Sequence, residues 1–307
     1  MKKIPKILSQ YNIPPNSSAH LLRESSDNQV YVVGNRQKKI LRLSKKLPIE
    51  DAVFEHDVYE HLSHYNFPVA KWNKTRDGKL YASVDKTGIA VLFDFLEGYH
   101  VVVDKNHFPT KEQVSAAGKM LGSISKAGEK FVLSSPRSRT IFSELERAMV
   151  FQEIFEKDFE GGKIFIQQVK EVTNLGHKHK SINGLIHNDY RPSNIFFKND
   201  SKISGVIDFD WSCIGPKIKD LALGALEWSF PDGCEKPNIA ILDTFLDGYN
   251  SVSKIKYERN KELYFWIMFA ALSDVATYFC DRIEFLDVKK NISSSYMYKK
   301  YLFFCKL

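Results

Sequence analysis

Short apolar runs rich in β-branched and aromatic residues open the readable part of the chain. Gln29-Val30-Tyr31-Val32-Val33 and Lys39-Ile40-Leu41-Arg42-Leu43 flank Gly34-Asn35. That arrangement predicts two antiparallel strands joined by a turn. Tyr81-Ala82-Ser83-Val84 and Ile89-Ala90-Val91-Leu92-Phe93 predict further strands, and residues 49–62 a helix between the pairs. After Gly98 the period changes. Val114, Ala117, Met120, Leu121 and Ile124 recur at helical spacing behind Thr110, a candidate N-cap, with Glu112 in the first turn. Residues 141–159, 164–175, 221–228, 239–249 and 264–283 also read as helices. Two strand-like runs interrupt them, Ile195-Phe196-Phe197 and Gly205-Val206-Ile207, joined through the polar turn Lys198-Asn199-Asp200-Ser201. A small β-rich part followed by a larger, mainly helical part is an α+β pattern.

Composition narrows the class. The 307 residues suffice for two lobes, and 43% hydrophobic with 26% charged residues is ordinary for a globular chain. The net charge of +7 and pI near 9.0 raise the question of nucleic acid. The lysines are scattered, with only short pairs such as Lys45-Lys46 and Lys289-Lys290, so no nucleic-acid stripe is expected. Cys213, Cys234, Cys280 and Cys305 show no C-x-x-C spacing, which argues against a zinc site or disulfide framework and for a reducing, cytoplasmic setting. No apolar signal segment precedes Pro14-Pro15. The most apolar stretch, residues 264–279, is broken by Ser273 and Asp274 and reads as a buried helix, so no membrane is expected as a partner. His177-Lys178-His179-Lys180 lacks a Cys or acidic partner at ligand spacing and reads as a basic turn.

The chemistry concentrates in Leu185-Ile186-His187-Asn188-Asp189-Tyr190-Arg191-Pro192-Ser193-Asn194, followed by Ile207-Asp208-Phe209-Asp210. The pattern is H-x-D-x-x-x-x-N, a strand, a polar turn, a second strand and D-F-D. Phosphoryl transfer asks mainly for positioning, charge neutralisation by a divalent metal and a group to receive the hydroxyl proton. Asp189 is the candidate base. Asn194 offers a neutral oxygen to one magnesium ion, and Asp208 a carboxylate to the metal that bridges the phosphates.

The segment from Gly184 to Ala225 resembles the aminoglycoside phosphotransferase and choline kinase superfamily, whose loop is typically H-G-D-x-x-x-x-N and whose metal strand ends I-D-F. The form I-H-x-D-x-x-P-x-N-x-F-F, then G-x-I-D-F and Asp220-Leu221-Ala222, also resembles homoserine kinases of this fold. Asn188, where the family usually has Gly, and Arg191 depart from the pattern. The resemblance implies a two-lobed protein-kinase-like fold: an N-terminal nucleotide-binding lobe at 1–93, a hinge at 94–98, and a catalytic and substrate-binding lobe at 99–307. It also implies ATP or GTP with Mg2+ as cofactors.

In the same resemblance Arg42 holds phosphates and pairs with Glu55, which lies seven residues before Leu62. Lys39 is the fallback, although strand alternation puts it on the other face. The polar stretch Ser25-Ser26-Asp27-Asn28 occupies the phosphate-covering position, so Ser26 and Asn28 are nucleotide-binding candidates; a plain polar turn is the alternative. Asp94 and Leu96 would meet adenine through their main chain, with Phe93 walling the pocket.

The spacing also bears on the acceptor. Asp208 and Asp220 stand too close for an activation loop, and no A-P-E follows, which argues against a protein kinase. Acceptors in the resembled family are often cationic, so a small, amine-bearing hydroxyl acceptor is expected, met by Asp210, Glu227, Asp232, Asp274 or Asp281. Asp274 would otherwise pair with an internal base such as Arg282. Tyr190, Trp211 and Trp228 are either an amine-facing wall or core. Metabolic kinases of the homoserine or choline type and an inactive nucleotide-binding regulator stand as alternatives, though intact Asp189, Asn194 and Asp208 argue against the regulator.

Overall fold

The structure, a computed structural model, describes residues 3–25, 28–45, 47–84, 88–283 and 290–307. It divides into two units. The first comprises Met1–Gly98, Val132–Ser138 and Ser204–Asp210; the second comprises Tyr99–Phe131, Arg139–Ile203 and Trp211–Leu307.

The first unit carries α1 (Ile4–Leu8), β1 (Ala19–Glu24), β2 (Asn28–Val33), β3 (Lys39–Ser44), α2 (Ile49–His64), β4 (Trp72–Asn73), β5 (Ala82–Val84) and β6 (Gly88–Asp94). These strands form a six-stranded antiparallel sheet in the order β1-β2-β3-β6-β4, with β5 also on β6. Strand alternation explains the two faces. Leu41 and Leu43 of β3 join Ile4, Ile7, Leu8 and Tyr11 in one core, and the Tyr11 hydroxyl donates to the Ala90 carbonyl at 2.7 Å. Arg42 points to the other face, 5.6 Å from the Phe93 ring. The acidic first turn of α2, Glu50 and Asp51, suits its helix dipole. Strand β1 has no counterpart among the strands expected from the pattern. Its register shifts between Leu21 and Arg23, and Leu21 and Leu22 are both exposed, so no clean period marks this edge strand.

The second unit is mainly helical: α3 (Lys111–Ala127), α4 (Ser143–Val150), α5 (Gln152–Asp158), α6 (Gly162–Lys178), α7 (Lys217–Ser229), α8 (Ile239–Val252), α9 (Lys261–Cys280) and α10 (Tyr296–Phe304). Thr110 caps α3 as expected, in a reciprocal capping box with Gln113. The single helix expected over 141–159 is two, because Phe151 leaves helical geometry at φ −93°, ψ 15°. Neither Pro nor Gly marks that break. Helix α9 is long and apolar enough to cross a membrane, yet 67% of its most apolar window is buried within the protein, as for a core helix. Among the strands, β7 (Asn183–Ile186) pairs with β10 (Cys213–Pro216), and β8 (Ile195–Asn199) with β9 (Lys202–Val206).

Helices α3 and α8 approach closely through glycines. A Cβ on Gly118 would sit 2.1 Å from the Phe245 carbonyl oxygen. Gly118→Ala is therefore expected to destabilise the protein by about 1–3 kcal/mol through overpacking, despite the better helix propensity of Ala. Chemical denaturation checks this; an unchanged or raised midpoint would mean the helices part without cost.

Candidate active site

The loop carrying Asp189 leaves β7 and is fixed from beneath by Asp220, in the first turn of α7. Its carboxylate accepts the backbone N–H groups of His187 at 2.9 Å and Asn188 at 2.8 Å. Burial pushes the Asp220 carboxyl upward, while the His187 charge and these two N–H groups oppose the rise. Asn188 adopts φ +63°, a left-handed conformation that Gly, and among other residues chiefly Asn and Asp, tolerates. This explains how Asn replaces the family's Gly. Its side chain donates to the Trp211 carbonyl at 3.1 Å and accepts from the Lys219 ammonium. Burial lowers the Lys219 pKa.

Both oxygens of Asp189 are engaged. Oδ2 accepts from Asn194 Nδ2 at 2.9 Å, and Oδ1 meets Arg191 Nε at 2.5 Å. The same Asn194 amide donates to the Asp189 carbonyl at 2.8 Å. The Asn194 NH2 is thus spent inside the loop, which leaves its Oδ1 as the oxygen suited to a hard cation. Asn194 closes a single 3-10 turn, Pro192–Asn194, and hands the chain to β8.

Around Arg191 lies an acidic cluster. Its Nη1 is 3.5 Å from Glu227 and its Nη2 3.3 Å from Asp274. Lys300 of α10 lies 3.4 Å from Glu227 and 3.1 Å from Asp232. Burial opposes ionisation of Glu227, but Lys300 and Arg191 override it and hold the carboxyl below its usual range. Burial pushes the Asp274 carboxyl up to about 6, although Arg191 draws it down. Asp274 therefore has an internal base, but it is Arg191 and not Arg282, whose guanidinium lies over the Tyr278 ring. Tyr190 and Trp228 are fully buried core residues; Trp211 carries Arg139 over its ring at 4.2 Å.

In the first unit, Arg42 and Glu55 form a buried, two-pronged pair with distances of 2.9 and 2.5 Å. Burial disfavours the Arg42 charge, but Glu55 outweighs it and raises the pKa. Lys39 instead contacts Asp94 at 2.6 Å and Asn73 at 3.3 Å, as the alternation of β3 requires. The Asp94 side chain is occupied by that pair and by Asn73. Phe93 is buried and Leu96 half-buried. Asn28 accepts from the Ser44 hydroxyl at 2.6 Å and donates to Asp210 at 3.5 Å. Asp210 thus sits with a nucleotide-side candidate, whereas Glu227, Asp232 and Asp274 cluster in the second unit. Ser26 lies outside the described residues.

Asp208 adopts φ +69°, the left-handed region again, and this re-aims the chain where the metal-ligand candidate stands. Tyr59, one turn beyond Glu55 on α2, stacks edge-on against Phe209 at 5.0 Å and bonds the Asp208 backbone. Among the described residues no group of three or more His, Cys, Asp or Glu is arranged to hold a metal ion. Sequence reasoning missed Lys300 and Tyr59, and noted Arg191 only as a departure. The one available signal was a basic residue two places after Asp189, the candidate base.

A family model described as the phosphotransferase enzyme family matches residues 18–262. The chain belongs to that family. Curated relatives of this phosphotransferase include the homoserine kinase of Zymomonas mobilis subsp. mobilis, 28% identical over 68% of the chain and 64% of its own length. Those of Rhodopseudomonas palustris and Rhizobium meliloti are each 27% identical, over 80% and 84% of the chain and 74% and 77% of their lengths. The chain thus spans just under two thirds of the Zymomonas protein. Among solved structures, an amicoumacin kinase in complex with AMP-PNP, Ca2+ and Ami matches at TM-score 0.73 and 16% identity, covering 97% of this chain and 90% of the other. A microcompartment-associated aminopropanol kinase matches at TM-score 0.68 and 16% identity, covering 98% and 95%. The choline kinase of Cryptosporidium parvum Iowa II matches at TM-score 0.68 and 14% identity, covering 99% and 94%. The kinase-like fold expected from the motifs is the fold these likenesses show.

Proposed function

We propose that this phosphotransferase moves the terminal phosphoryl group of ATP to a hydroxyl of a small, amine-bearing molecule. The observation that carries the reading is the loop itself: Asp189 is held at both carboxylate oxygens beside a half-buried cluster in which four carboxylates, Asp189, Glu227, Asp232 and Asp274, contact two bases, Arg191 and Lys300. That surplus of negative charge favours a cation. AMP-PNP and Ca2+ in the amicoumacin kinase support ATP as the donor and a divalent metal.

Each residue has a role in this reading. Asp189 orients the acceptor hydroxyl and takes its proton as the oxygen bonds phosphorus and the bridging P–O bond to ADP breaks. Arg42, kept in place by Glu55, holds donor phosphates. Asp208 and Asn194 each offer an oxygen to Mg2+, which when bound neutralises phosphate charge. Glu227, Asp232 and Asp274 receive the acceptor's ammonium. A homoserine- or choline-type metabolic role is the second reading, favoured by relatives named homoserine kinases. A cytoplasmic setting fits four cysteines without a disulfide.

The test measures ATP consumption with amino alcohols, homoserine, thiamine-like molecules and aminoglycosides side by side. Turnover with one amine-bearing acceptor is expected, and ATP turnover with none would revive the regulator. With that acceptor, Glu227→Gln should raise KM roughly tenfold or more, since hydrogen bonds to charged groups contribute about 1.5–3 kcal/mol. Asp274 adds a pH dependence. Its carboxyl faces Arg191, Glu227, Asp189 and Lys300, and it gains a proton as pH falls through about 6. Acceptor KM should then rise below that pH, and Asp274→Asn should flatten the rise.

A further inference from the structure

We propose that Arg137 is a positioning residue: it ties the first turns of α2, and with them the Glu55–Arg42 pair, to the backbone turn that follows Asp208. Residues 132–138 lie far in sequence from both, yet they belong to the first unit. Arg137 is 5% exposed and Asp51 1% exposed at the side chain, and they pair at 3.4 Å. The same guanidinium donates to the Asp51 carbonyl at 3.4 Å and, through Nη2, to the carbonyl of Asp210. Its flat face lies 5.0 Å from the Phe54 ring. The Asp51 carboxylate also accepts from the Ser138 backbone at 2.9 Å and the Ser138 hydroxyl at 2.5 Å. Further along, Ser135 donates to the Glu50 carbonyl at 3.2 Å and Ser134 to the Asp57 carboxylate.

The geometry makes one rigid unit out of three segments. Asp51 and Glu55 stand one helical turn apart on α2, so whatever fixes Asp51 fixes the height and rotation of Glu55. Glu55 in turn sets Arg42. On the other side, the Asp210 carbonyl is two residues from Asp208, whose left-handed backbone needs support from its surroundings. Tyr59 already links α2 to Asp208 and Phe209. Arg137 adds a second tie on the far side of Glu55, and two ties fix a rotation that one leaves open. A planar guanidinium is required, because a single group must reach the Asp51 carboxylate, the Asp51 carbonyl and the Asp210 carbonyl at once. The inference rests on the phosphotransfer reading only for the roles of Arg42 and Asp208.

The test compares wild type, Arg137→Ala, Arg137→Lys, Ser138→Ala and Asp208→Asn by calorimetric binding of AMP-PNP with and without Mg2+, alongside amide hydrogen exchange. Removing a supporting partner of a metal ligand typically weakens metal-dependent binding about 10–100-fold. Arg137 bonds the Asp210 carbonyl and not Asp208 itself, so Arg137→Ala should lose about tenfold, the lower end of that range, of the Mg2+-dependent gain in affinity, while metal-free binding changes less. Exchange should rise together at residues 206–211 and at the start of α2. Arg137→Lys should be intermediate and Ser138→Ala mild, and these two carry the test if the alanine variant does not fold. A lower melting temperature with unchanged Mg2+-dependent binding, or exchange that rises only at 132–138, overturns the proposal. Wild type showing no Mg2+-dependent binding would sink the phosphotransfer reading instead, and the coupling would then stand or fall on whether exchange rises at both sites.

Discussion

Asp189→Asn is expected to transfer phosphate on the order of 10²–10⁴-fold more slowly than wild type while binding nucleotide as before, the range typical for loss of a general base. The substitution removes the charge and keeps the shape of the side chain. One oxygen of Asn still accepts from Asn194 or Arg191, while its NH2 faces the other donor, so nucleotide binding is the control for a shifted loop. What the substitution loses is the ability to receive the acceptor's proton. Asp189→Ala should show a similar loss of turnover, but it also strips one carboxylate from Arg191, which retains Glu227 and Asp274. Steady-state kinetics on the best acceptor, with AMP-PNP binding as the control, separates the two effects. Wild-type turnover in Asp189→Asn would show that the base lies elsewhere.

The second large effect is expected at Asp208. Asp208→Asn should remove most of the Mg2+-dependent gain in nucleotide affinity, about 10–100-fold or more, because an amide oxygen is a far poorer ligand for a hard dication than a carboxylate. Asn is the informative replacement for a structural reason. At φ +69° an alanine would add a left-handed penalty of roughly 1–2 kcal/mol, mixing backbone strain with ligand loss. Asn tolerates that region. Calorimetric titration of AMP-PNP at several Mg2+ concentrations checks the expectation, with metal-free binding as the reference. If the two proteins gained equally from Mg2+, Asp208 would not be a metal ligand.

Parts of this site were legible because they depend on local order along the chain. Asp189 and Asn194 share one loop, and the Asn194 amide folds back onto Asp189 within five residues. Arg42 and Glu55 were legible through the resemblance, which places a basic residue on this strand and a glutamate seven residues before Leu62, and the structure pairs the two. Strand alternation puts Lys39 on the other face of the strand from Arg42, and there the structure pairs it with Asp94. The helix break at Phe151 and the edge strand β1 escaped, since one lacks a breaker residue and the other a clean alternation.

Partner choice among charges was not legible. Five acidic residues were candidates for meeting an amine, and nothing in their spacing said that Arg191 and Lys300 already contact three of them, that Arg147 holds Asp281 or that Asp210 belongs beside Asn28. Ion pairs form between side chains far apart in sequence, 83 residues for Arg191 and Asp274 and 134 for Arg147 and Asp281, so their pairing follows from helix packing.

By itself, then, the sequence determined which residue types stand at which short spacing, and therefore the loop, the candidate base and the metal-ligand candidates. Local backbone preference explains why, since a residue such as Asn188 or Asp208 can enter the left-handed region on its own account. Only the tertiary structure decided how those groups are held. Asp220 under the loop, Arg191 between three carboxylates, and Arg137 between α2 and the turn after Asp208 are contacts between segments distant in sequence. Each is a buried or half-buried polar group whose partner was fixed by the packing of apolar helices and strands around it.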